Sequence, residues 1–397
     1  MRARTRILSE FTDRTIDLND FAHSDGYLFV RDGVGVAGQG CAARIASSDA
    51  GDFLADIQHD TNTESVGSGA ILIGCVPFKS SDPHHFVLPA VTISKDSDGH
   101  AWLTTIDDAK VDLEARPRTP ESASSYTVRP GTDVEHYLAA VTTARDAVRR
   151  GEMTKVVIAR NIIVESSNPI DIHALLTRLR SSFGSSYRYS FEGFVGASPE
   201  LLVAVNDGNI SSHPLAGTTR RTGDPRTDAA LAAELLASAK NQIEHRVVVD
   251  MVHDTLLPWC SYLDEEPEAS IVAVANVQHL GTHMSGALSQ PGPNILDLVY
   301  ALSPTPALGG HPQDAALKLI SEHEGFDRGR YGGAVGWLDS RGNGTWAVAI
   351  RCAELSPDRR TARLFAGGGI VSDSDPHSEL AETQAKLQAM LAAIIRP

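Results

Sequence analysis

Apolar residues recur along this chain with two periods, and the period changes near residue 130. In the first third, short apolar runs are bounded by Gly, Pro and Asp, which is the pattern of strands separated by turns. The clearest runs are 26–31 and 69–78, and the runs 43–46 and 101–106 are weaker. Residues 1–125 are therefore predicted to form strands with little helix. Residues 115–131, rich in Pro, Ser, Thr and Arg, are predicted to be a loop joining two halves.

Helical periodicity, with apolar residues every three or four positions, begins after that loop. Thr132 and Glu135 have the spacing of a capping box, and Gly151 follows the last apolar position, so a helix is predicted between them. Three further helices are predicted, at 228–257, at 314–322 and from 376 onward.

Runs rich in β-branched and aromatic residues separate these helices and predict further strands. They lie at 155–164, 272–275, 279–283, 332–337, 345–351 and 362–366. Residues 191–205 are predicted to form a hairpin, with Ser198-Pro-Glu-Leu201 at its turn.

Composition narrows the class of protein. The chain has 397 residues with 42% hydrophobic content, and its net charge of −15 disfavours a nucleic-acid or anionic-membrane partner. Four scattered cysteines without C-x-x-C spacing indicate a reducing, cytoplasmic setting and no cysteine metal site. The N-terminus lacks a signal-peptide core, and no run reaches the roughly 18 apolar residues of a membrane span. We therefore expect a soluble cytoplasmic protein.

Three consecutive glycines near the C-terminus are the first candidate for ligand binding. Gly367, Gly368 and Gly369 follow the apolar run of a predicted strand. Without a Cβ atom, such residues can adopt positive φ angles and let a ligand approach their N–H groups. The sequence therefore predicts an anion-binding nest at this point.

The helix that follows carries three charged residues on one face. Asp375 suits the N-cap and Pro376 the first helical position. Spacings of three and four residues then align Glu379, Glu382 and Lys386. Two carboxylates and an ammonium beside a nest suit an anionic substrate held through a divalent metal. The helix dipole alone also favours glutamates in a first turn, so the carboxylates have a purely structural explanation as well.

Other candidate residues are dispersed along the chain, and most have an equally plain structural explanation. Lys155 starts a strand and could be an exposed edge charge, and Glu200 could be an ordinary turn carboxylate. Glu244 could pair with Lys240 one helical turn away. Arg351 ends an alternating strand and suits bidentate binding of a substrate carboxylate. The glycine- and arginine-rich loop 213–223 is a second candidate anion site.

Several motifs, in consistent order over about residues 130–395, resemble those of the chorismate-utilising enzymes. The motifs are His213-Pro-Leu-Ala-Gly-Thr, Ser303-Pro-Thr-Pro-Ala-Leu-Gly-Gly, Arg330-Tyr-Gly-Gly-Ala-Val-Gly-Trp, Ala349-Ile-Arg-Cys-Ala and Phe365-Ala-Gly-Gly-Gly-Ile-Val. This family includes isochorismate, salicylate, anthranilate and aminodeoxychorismate synthases. The resemblance implies one α+β domain over 1–397, in which two large, mostly antiparallel sheets pack together with helices outside. Residues 1–125 would be its variable strand-rich part and residues 126–397 its catalytic part.

The resemblance also implies roles for individual residues. Glu244, Glu379 and Glu382 would bind Mg²⁺, which bridges to a carboxylate of chorismate. Tyr331 and Arg351 would hold the enolpyruvyl carboxylate together with the N–H groups of the glycine nest. The remaining substrate-binding positions are Gly217, Thr218 and His279 on the ring side, Ala307 and Leu308 in the Ser303 loop, and Lys386 on the metal side.

Two positions distinguish the branches of this family by their nucleophile. Lys155 matches the lysine of the water-using branch, where it would be the general base. Glu200 matches the general acid that protonates the leaving C4 hydroxyl. Ala216 stands where aminodeoxychorismate synthases have a nucleophilic lysine, which excludes that covalent route.

The resemblance thus implies an isochorismate synthase, an isomerase that adds water at C2 of chorismate and removes the C4 hydroxyl. A salicylate synthase, which continues by eliminating pyruvate, is the alternative within the family. A chorismate-binding homologue without catalysis and a metal-dependent phosphate-ester hydrolase are alternatives of other classes. We expect a monomer whose partner is the small molecule chorismate, serving a siderophore, menaquinone or salicylate pathway.

Overall fold

A computed structural model describes residues 1–114 and 124–396. The strands of the described residues are β1 (Arg2–Ile7), β2 (Tyr27–Arg31), β3 (Val34–Gln39), β4 (Ala43–Ala46), β5 (Gln58–Asp60), β6 (Ile71–Val76), β7 (His85–Leu88), β8 (Val91–Lys95), β9 (Ala101–Ile106), β10 (Tyr126–Pro130), β11 (Lys155–Ser166), β12 (Tyr187–Phe191), β13 (Phe194–Ser198), β14 (Leu201–Asn206), β15 (Asn209–His213), β16 (Leu215–Arg220), β17 (Cys260–Glu265), β18 (Ser270–Val274), β19 (Val277–Gly281), β20 (Met284–Leu288), β21 (Gly310–His311), β22 (Ala334–Asp339), β23 (Gly344–Val348), β24 (Cys352–Leu355) and β25 (Thr361–Ile370). The helices are α1 (Leu18–Ala22), α2 (Ala50–Ala55), α3 (Val134–Arg149), α4 (Ile172–Phe183), α5 (Pro225–Ala237), α6 (Ala239–Leu256), α7 (Ile295–Leu302), α8 (Gln313–His323) and α9 (Pro376–Ile395).

Two large sheets and one small sheet contain these strands. The larger has 13 strands in the order β10-β11-β25-β24-β13-β12-β2-β3-β8-β9-β1-β5, with β21 paired to β11. The second has nine strands in the order β17-β20-β15-β14-β23-β22-β6-β7-β4, and the third consists of β16, β19 and β18. Every described strand pair is antiparallel except β1 with β5. The predicted α+β class with two large, mostly antiparallel sheets is confirmed. Strands before residue 107 occupy both large sheets beside strands of the later chain.

The alternation of side chains along β2 shows how the layers are built. Tyr27 and Phe29 face the core between the two large sheets, where they meet residues such as Ile73 of β6. Leu28 and Val30 point to the opposite face, into a second core covered by helices such as α4 and α9. Successive strand residues point to opposite faces, so a strand covered on both faces must be apolar throughout. This burial explains the unbroken apolar run at 26–31.

The prediction of one long helix at 228–257 is wrong in one respect, because two helices, α5 and α6, meet at Ser238. Ser238 has an extended ψ of 108°, and it ends α5 and caps α6. Its hydroxyl accepts hydrogen bonds from the backbone N–H of Asn241 at 3.4 Å and from the Asn241 side-chain amide at 2.9 Å. A serine side chain can compete for backbone donors and so start a new helix inside a helical pattern.

The hairpin predicted at 191–205 is also wrong. β13 pairs with β12 and β24 in the 13-strand sheet, whereas β14 pairs with β15 and β23 in the nine-strand sheet. The segment Ser198–Leu201 therefore carries the chain from one large sheet to the other. Two adjacent apolar runs look the same in the sequence whether they pair with each other or with distant strands.

The predicted loop at 115–131 requires a correction at its end. Residues 126–130 form β10, an edge strand that pairs with residues 162–166 of β11. Residues 115–123 lie outside the described residues. The polar composition of β10 fits its position, since four of its five residues are exposed and a sheet edge favours polar side chains.

The N-cap of α3 is Asp133 and not the predicted Thr132. The Asp133 carboxylate accepts hydrogen bonds from the N–H groups of Glu135 and His136 at 3.0 and 3.2 Å. The Thr132 hydroxyl instead accepts from the backbone N–H of Asn161 in β11 at 3.2 Å. The helix thus starts one residue later than the capping-box pattern suggested.

This difference gives a test by mutation. Asp133→Ala should lower the free energy of unfolding by about 0.5–2 kcal/mol, because two N–H groups of α3 lose their acceptor. Asp133→Asn should leave it nearly unchanged, since asparagine caps equally well. Urea denaturation followed by circular dichroism measures both values. Equal stability of Asp133→Ala and Asp133→Asn would contradict the assigned cap.

Candidate active site

A cavity of about 1010 Å³, its open mouth included, lies where the 13-strand sheet, the small sheet and two helices meet. The predicted site residues that line it are Lys155, Glu200, Gly217, Thr218, Glu244, His279, Ala307, Leu308, Tyr331, Arg351, Gly367, Glu379, Glu382 and Lys386. Gly368 is the one predicted residue that does not line it. These residues come from β11, β16, β19 and β25, from α6 and α9, and from loops between elements. The fold therefore brings together residues that are more than 200 positions apart in the chain.

Lys155 is a buried cation and not an edge charge. It is the first residue of β11, and β25 and β21 pair with β11 on its two sides. Its Nζ lies 2.9 Å from Glu244 Oε1, with side-chain exposures of 3% and 13%. Burial opposes ionisation of Glu244, but the charge and hydrogen bond of Lys155 outweigh it and hold the pKa of Glu244 below its usual value. Glu244 therefore pairs with Lys155, and the predicted Lys240–Glu244 ion pair is not formed.

The three glycines are strand residues, so the prediction of a nest with positive φ angles is wrong. Gly367, Gly368 and Gly369 pair with Ala159, Ile158 and Val157 across the β11–β25 ladder. None of the three has a positive φ angle.

The absence of Cβ atoms at these glycines makes room for neighbouring side chains. A Cβ on Gly369 would lie 2.5 Å from Glu244 Oε1 and 2.9 Å from Lys155 Cε. A Cβ on Gly368 would lie 2.7 Å from Glu379 Oε2, on the opposite face of the strand. The glycines thus leave room for charged side chains to rest against the strand.

Two amide groups of this strand nevertheless point away from β11. The N–H of Val157 donates to the Gly309 carbonyl, and that of Ala159 donates to Glu324. In an antiparallel ladder, both members of such a pair turn their backbone groups outward. The N–H groups of Gly367 and Gly369 therefore face the side opposite β11, where Lys386 Nζ donates to the Gly367 carbonyl at 2.8 Å.

Glu379 and Glu382 crowd each other on the first turns of α9. Burial, and next the neighbouring Glu382 charge, raise the pKa of Glu379 to about 7. Ser374 Oγ donates to Glu379 Oε1 at 2.7 Å, and Lys386 Nζ lies 2.6 Å from Glu382 Oε1. Asp375 caps α9 as predicted, by accepting from the Ser378 N–H at 2.9 Å.

The three carboxylates suit a hard divalent cation in their chemistry. Glu244, Glu379 and Glu382 offer only oxygen ligands. A cation would offset both the burial of the Glu379 carboxylate and its repulsion by Glu382. Their oxygens do not all lie within 4.8 Å of one another. Among the described residues, the group that meets this distance is Asp96, Asp98 and His100, which are mostly exposed and hydrogen-bond among themselves.

Glu200 is buried on the segment that passes between the two large sheets. Burial raises its pKa to about 8, and the Leu215 N–H, 3.4 Å from Oε1, offsets this only in part. The side chain therefore keeps its proton at neutral pH. A neutral carboxyl group beside a cavity can act as a proton donor.

Arg351 is a buried cation for which the described residues offer no carboxylate within 4 Å. Burial lowers its pKa to about 10. Its backbone has a left-handed φ of 53°, a conformation that residues other than glycine adopt uncommonly. Its Nη2 donates to His279 Nε2 at 2.9 Å. The guanidinium thus has capacity for an additional anionic partner.

His279 is held as one neutral tautomer. Its Nδ1 lies 3.2 Å from the Gly217 carbonyl, an acceptor only, so Nδ1 carries the proton and Nε2 accepts from Arg351. Burial and the Arg351 charge keep the pKa of His279 well below its usual value. Gly217 needs its positive φ of 74° at a bulge of β16, where a Cβ would come within 3.2 Å of Asn241. Thr218 Oγ1 lies 3.1 Å from His279 Nδ1.

Sequence reasoning did not assign roles to several residues of this cavity and its wall. Phe365 stacks on Tyr331 with a ring separation of 5.0 Å. Lys240, which the sequence offered only as an ion-pair partner of Glu244, and Asn241 line the cavity one helical turn before Glu244. Glu324 and Arg328 form a buried ion pair behind the wall, and only their four-residue spacing hinted at it.

Comparison with known proteins identifies the class. Residues 42–395 match the chorismate binding enzyme family. Because the match covers most of the chain, the protein belongs to this family.

Several relatives are named as isochorismate synthases. The chain is 40% identical over 341 residues to a Mycobacterium tuberculosis protein named as a candidate isochorismate synthase, MenF, covering 83% of this chain and 87% of that one. It is 34% identical over 342 residues to the isochorismate synthase DhbC of Bacillus subtilis, covering 83% and 82%. The solved structure of the menaquinone-specific isochorismate synthase MenF of Escherichia coli shares the fold, with a TM-score of 0.84, 24% identity and coverage of 100% and 94%. No helix in residues 1–114 and 124–396 has the length and apolar character to cross a membrane.

The raised pKa of Glu200 makes stability depend on pH. The folded state keeps a proton up to about pH 8 that the unfolded state loses above its ordinary value of 4.5. The stabilisation is complete below the unfolded pKa and falls as the pH rises to the folded pKa. Compared with Glu200→Gln, the parent should therefore lose up to about 1.4 kcal/mol of unfolding free energy per pH unit in this window. Urea denaturation at pH 6, 7 and 8 measures the difference, and a constant gap would show that Glu200 is ionised throughout.

Proposed function

We propose that this protein is an isochorismate synthase, which isomerises chorismate reversibly. The observation that carries the proposal is a single cavity that unites a protonated Glu200, a buried Lys155 and an Arg351 that has no carboxylate partner in the described part of the chain. An acid, a base and an anion-binding cation are what an acid–base reaction on a carboxylated substrate requires. The names of the relatives, which are isochorismate synthases, support the same reaction.

Chorismate has two carboxylates, and the cavity offers two regions that suit them. One carboxylate would bind Arg351 and the Tyr331 hydroxyl, near the outward N–H groups of Gly367 and Gly369. A guanidinium that is already buried has lost its hydration, so an incoming carboxylate repays that cost. The neutral His279 accepts one N–H of Arg351 and so fixes its orientation.

The other carboxylate lies with the acidic residues in this proposal. Glu244, Glu379 and Glu382 would hold Mg²⁺, and the bound cation would supply the positive charge that attracts a carboxylate of the substrate. Lys386, paired with Glu382, contributes a further positive charge at this end of the cavity.

The proposed reaction adds a hydroxyl group at C2 of the ring and removes the hydroxyl group at C4. The Lys155 ammonium first loses a proton to solvent, and the resulting amine then takes a proton from a water molecule while the oxygen of that water bonds to C2. The ring double bond shifts, the C4–O bond breaks, and Glu200 gives its proton to the departing hydroxyl, which leaves as water. One water enters and one leaves, so the product is an isomer of the substrate. Proton exchange with solvent resets both side chains.

Two features of the cavity wall disfavour the other reactions of the family. Ala216 has no side-chain nitrogen, so a covalent intermediate with an amine cannot form at this position. Ala307 and Leu308 give the wall beside the ring an apolar surface, and we interpret this loop as that of an enzyme that stops at isochorismate. We further propose that the enzyme acts as a cytoplasmic monomer, in keeping with four cysteines that are free thiols.

Product analysis tests the function directly. Purified protein incubated with chorismate and Mg²⁺ should give a constant mixture of chorismate and isochorismate by chromatography. A lactate dehydrogenase-coupled assay should detect no stoichiometric pyruvate. A chelator should stop the reaction and added Mg²⁺ should restore it. Sustained release of pyruvate would assign the protein to the salicylate branch instead.

Substitution of the proposed base and acid tests the mechanism. Lys155→Ala and Glu200→Gln should each lower kcat by about 10²–10⁴-fold, the usual contribution of a positioned acid or base. Because the roles reverse with isochorismate as substrate, each variant should be impaired in both directions with the equilibrium constant unchanged. Lys318→Ala, which changes an exposed lysine of α8, is the matched control and should retain parental activity. A Lys155→Ala variant with the parental rate would remove the lysine from the mechanism.

A further inference from the structure

The 13-strand sheet has a gap beside β11, just behind the cavity wall. On the side opposite β25, β21 pairs with Lys155 and Val156, and β10 pairs with residues 162–166. Between them, residues 157–161 face no strand of the described chain. Buried backbone groups at such a gap must find other partners.

A buried ion pair supplies the partners that a strand would otherwise provide. Glu324 Oε1 accepts the Ala159 N–H at 2.7 Å, and Arg328 Nη2 donates to the Val157 carbonyl at 2.9 Å. A carboxylate thus takes the place of a neighbouring carbonyl, and a guanidinium takes the place of a neighbouring N–H. The Gly309 carbonyl completes the set by accepting from the Val157 N–H at 2.9 Å.

Glu324 and Arg328 also fix each other. Arg328 Nε donates to Glu324 Oε2 at 2.7 Å, and Nη2 lies 2.6 Å from Glu324 Oε1. The side chain of Arg328 is 2% exposed and that of Glu324 is 1% exposed. A two-point contact between a guanidinium and a carboxylate allows one relative orientation, which a lysine cannot impose.

Arg328 also reaches two further parts of the cavity wall, one through its guanidinium and one through its backbone. Its Nη1 donates to the Leu308 carbonyl at 2.7 Å, and the Tyr331 N–H donates to the Arg328 carbonyl at 3.0 Å. The guanidinium also packs 4.2 Å over the ring of Phe78. One side chain therefore contacts the strand of the proposed base and the loop of Leu308, and its own backbone holds Tyr331.

We propose that Arg328, oriented by Glu324, is a positioning residue that fixes the distance between the Lys155 strand and the Leu308–Tyr331 side of the cavity. This inference rests on the proposed function, because its effect is on the placement of Lys155 relative to the ring. Arg351, the proposed carboxylate anchor, has no contact with this pair in the described residues. Loss of the pair should therefore impair the chemical step more than substrate binding.

Arg328→Lys is the principal test, since lysine keeps the charge but cannot donate to Glu324, Val157 and Leu308 together. Displacement of a reacting group by about 1 Å costs on the order of 100-fold in rate, so kcat should fall by about 10–100-fold. The dissociation constant for chorismate, measured by calorimetry, should change less than about threefold, a shift well below one tenfold step in affinity. Rates are expressed per folded molecule, from the folded fraction at the assay temperature.

Arg330→Lys is the matched control. Arg330 also donates to two carbonyls, those of Phe191 and Glu192, and packs 5.3 Å over the Phe191 ring, but its side chain forms no hydrogen bond or ion pair with a cavity residue in residues 1–114 and 124–396. It should lose stability and keep its kcat. Glu324→Gln is a second variant in case Arg328→Lys does not fold, and it should lower kcat in the same direction because the amide cannot accept both guanidinium bonds.

The outcomes separate the two proposals. If the parent protein fails to convert chorismate, the proposed function is wrong. If the parent is active and Arg328→Lys and Glu324→Gln match Arg330→Lys in kcat per folded molecule, the pair has only a structural role and the positioning inference is overturned.

Discussion

The active cavity depends on one buried ion pair, Lys155 with Glu244. It joins the first residue of β11, in the 13-strand sheet, to the middle of α6, which packs against the small sheet. Two charges taken out of water must meet with good geometry, because an isolated buried charge is far more costly than a paired one. Gly369 provides that geometry, since any side chain on it would occupy the space between the two groups. The pair, the glycine strand and the helix therefore form one unit.

The other charges of the cavity meet the same constraint in different ways. Glu382 forms an ion pair with Lys386. Burial raises the pKa values of Glu379 and Glu200, which favours their uncharged forms. Arg351 cannot lose its charge, and within residues 1–114 and 124–396 its hydrogen-bond partners are the neutral His279 and a backbone carbonyl. A buried positive charge that lacks an ion-pair partner in this part of the chain favours a substrate that brings its own negative charge.

Local features of this structure were predictable from the sequence, whereas features that depend on distant partners were not. The Asp375-Pro376 start of α9 and its aligned carboxylates follow from helix geometry alone, and the resemblance named the cavity residues. The separation of β13 from β14 depends on partners elsewhere in the chain, whereas the break at Ser238 is a local cap that apolar periodicity does not reveal. The triple glycine of β25 predicts a nest because glycine permits positive φ, but the neighbours of these residues across the ladder require an extended strand. Glu324 and Arg328 lie beyond the helix predicted at 314–322, and their role becomes visible only when the sheet gap beside β11 is known.

The position of Glu200 between the two large sheets has a consequence for how such an enzyme can change over time. Lys155 belongs to one sheet, while Glu200 lies on the segment that leaves that sheet and enters the other. The separation of the proposed acid and the proposed base therefore depends on how the two large sheets pack against each other. Substitutions deep between the sheets, at residues such as Trp346 with no exposed surface, can alter turnover without touching the cavity. Adaptation to temperature can then act through core packing while every residue that meets the substrate stays the same.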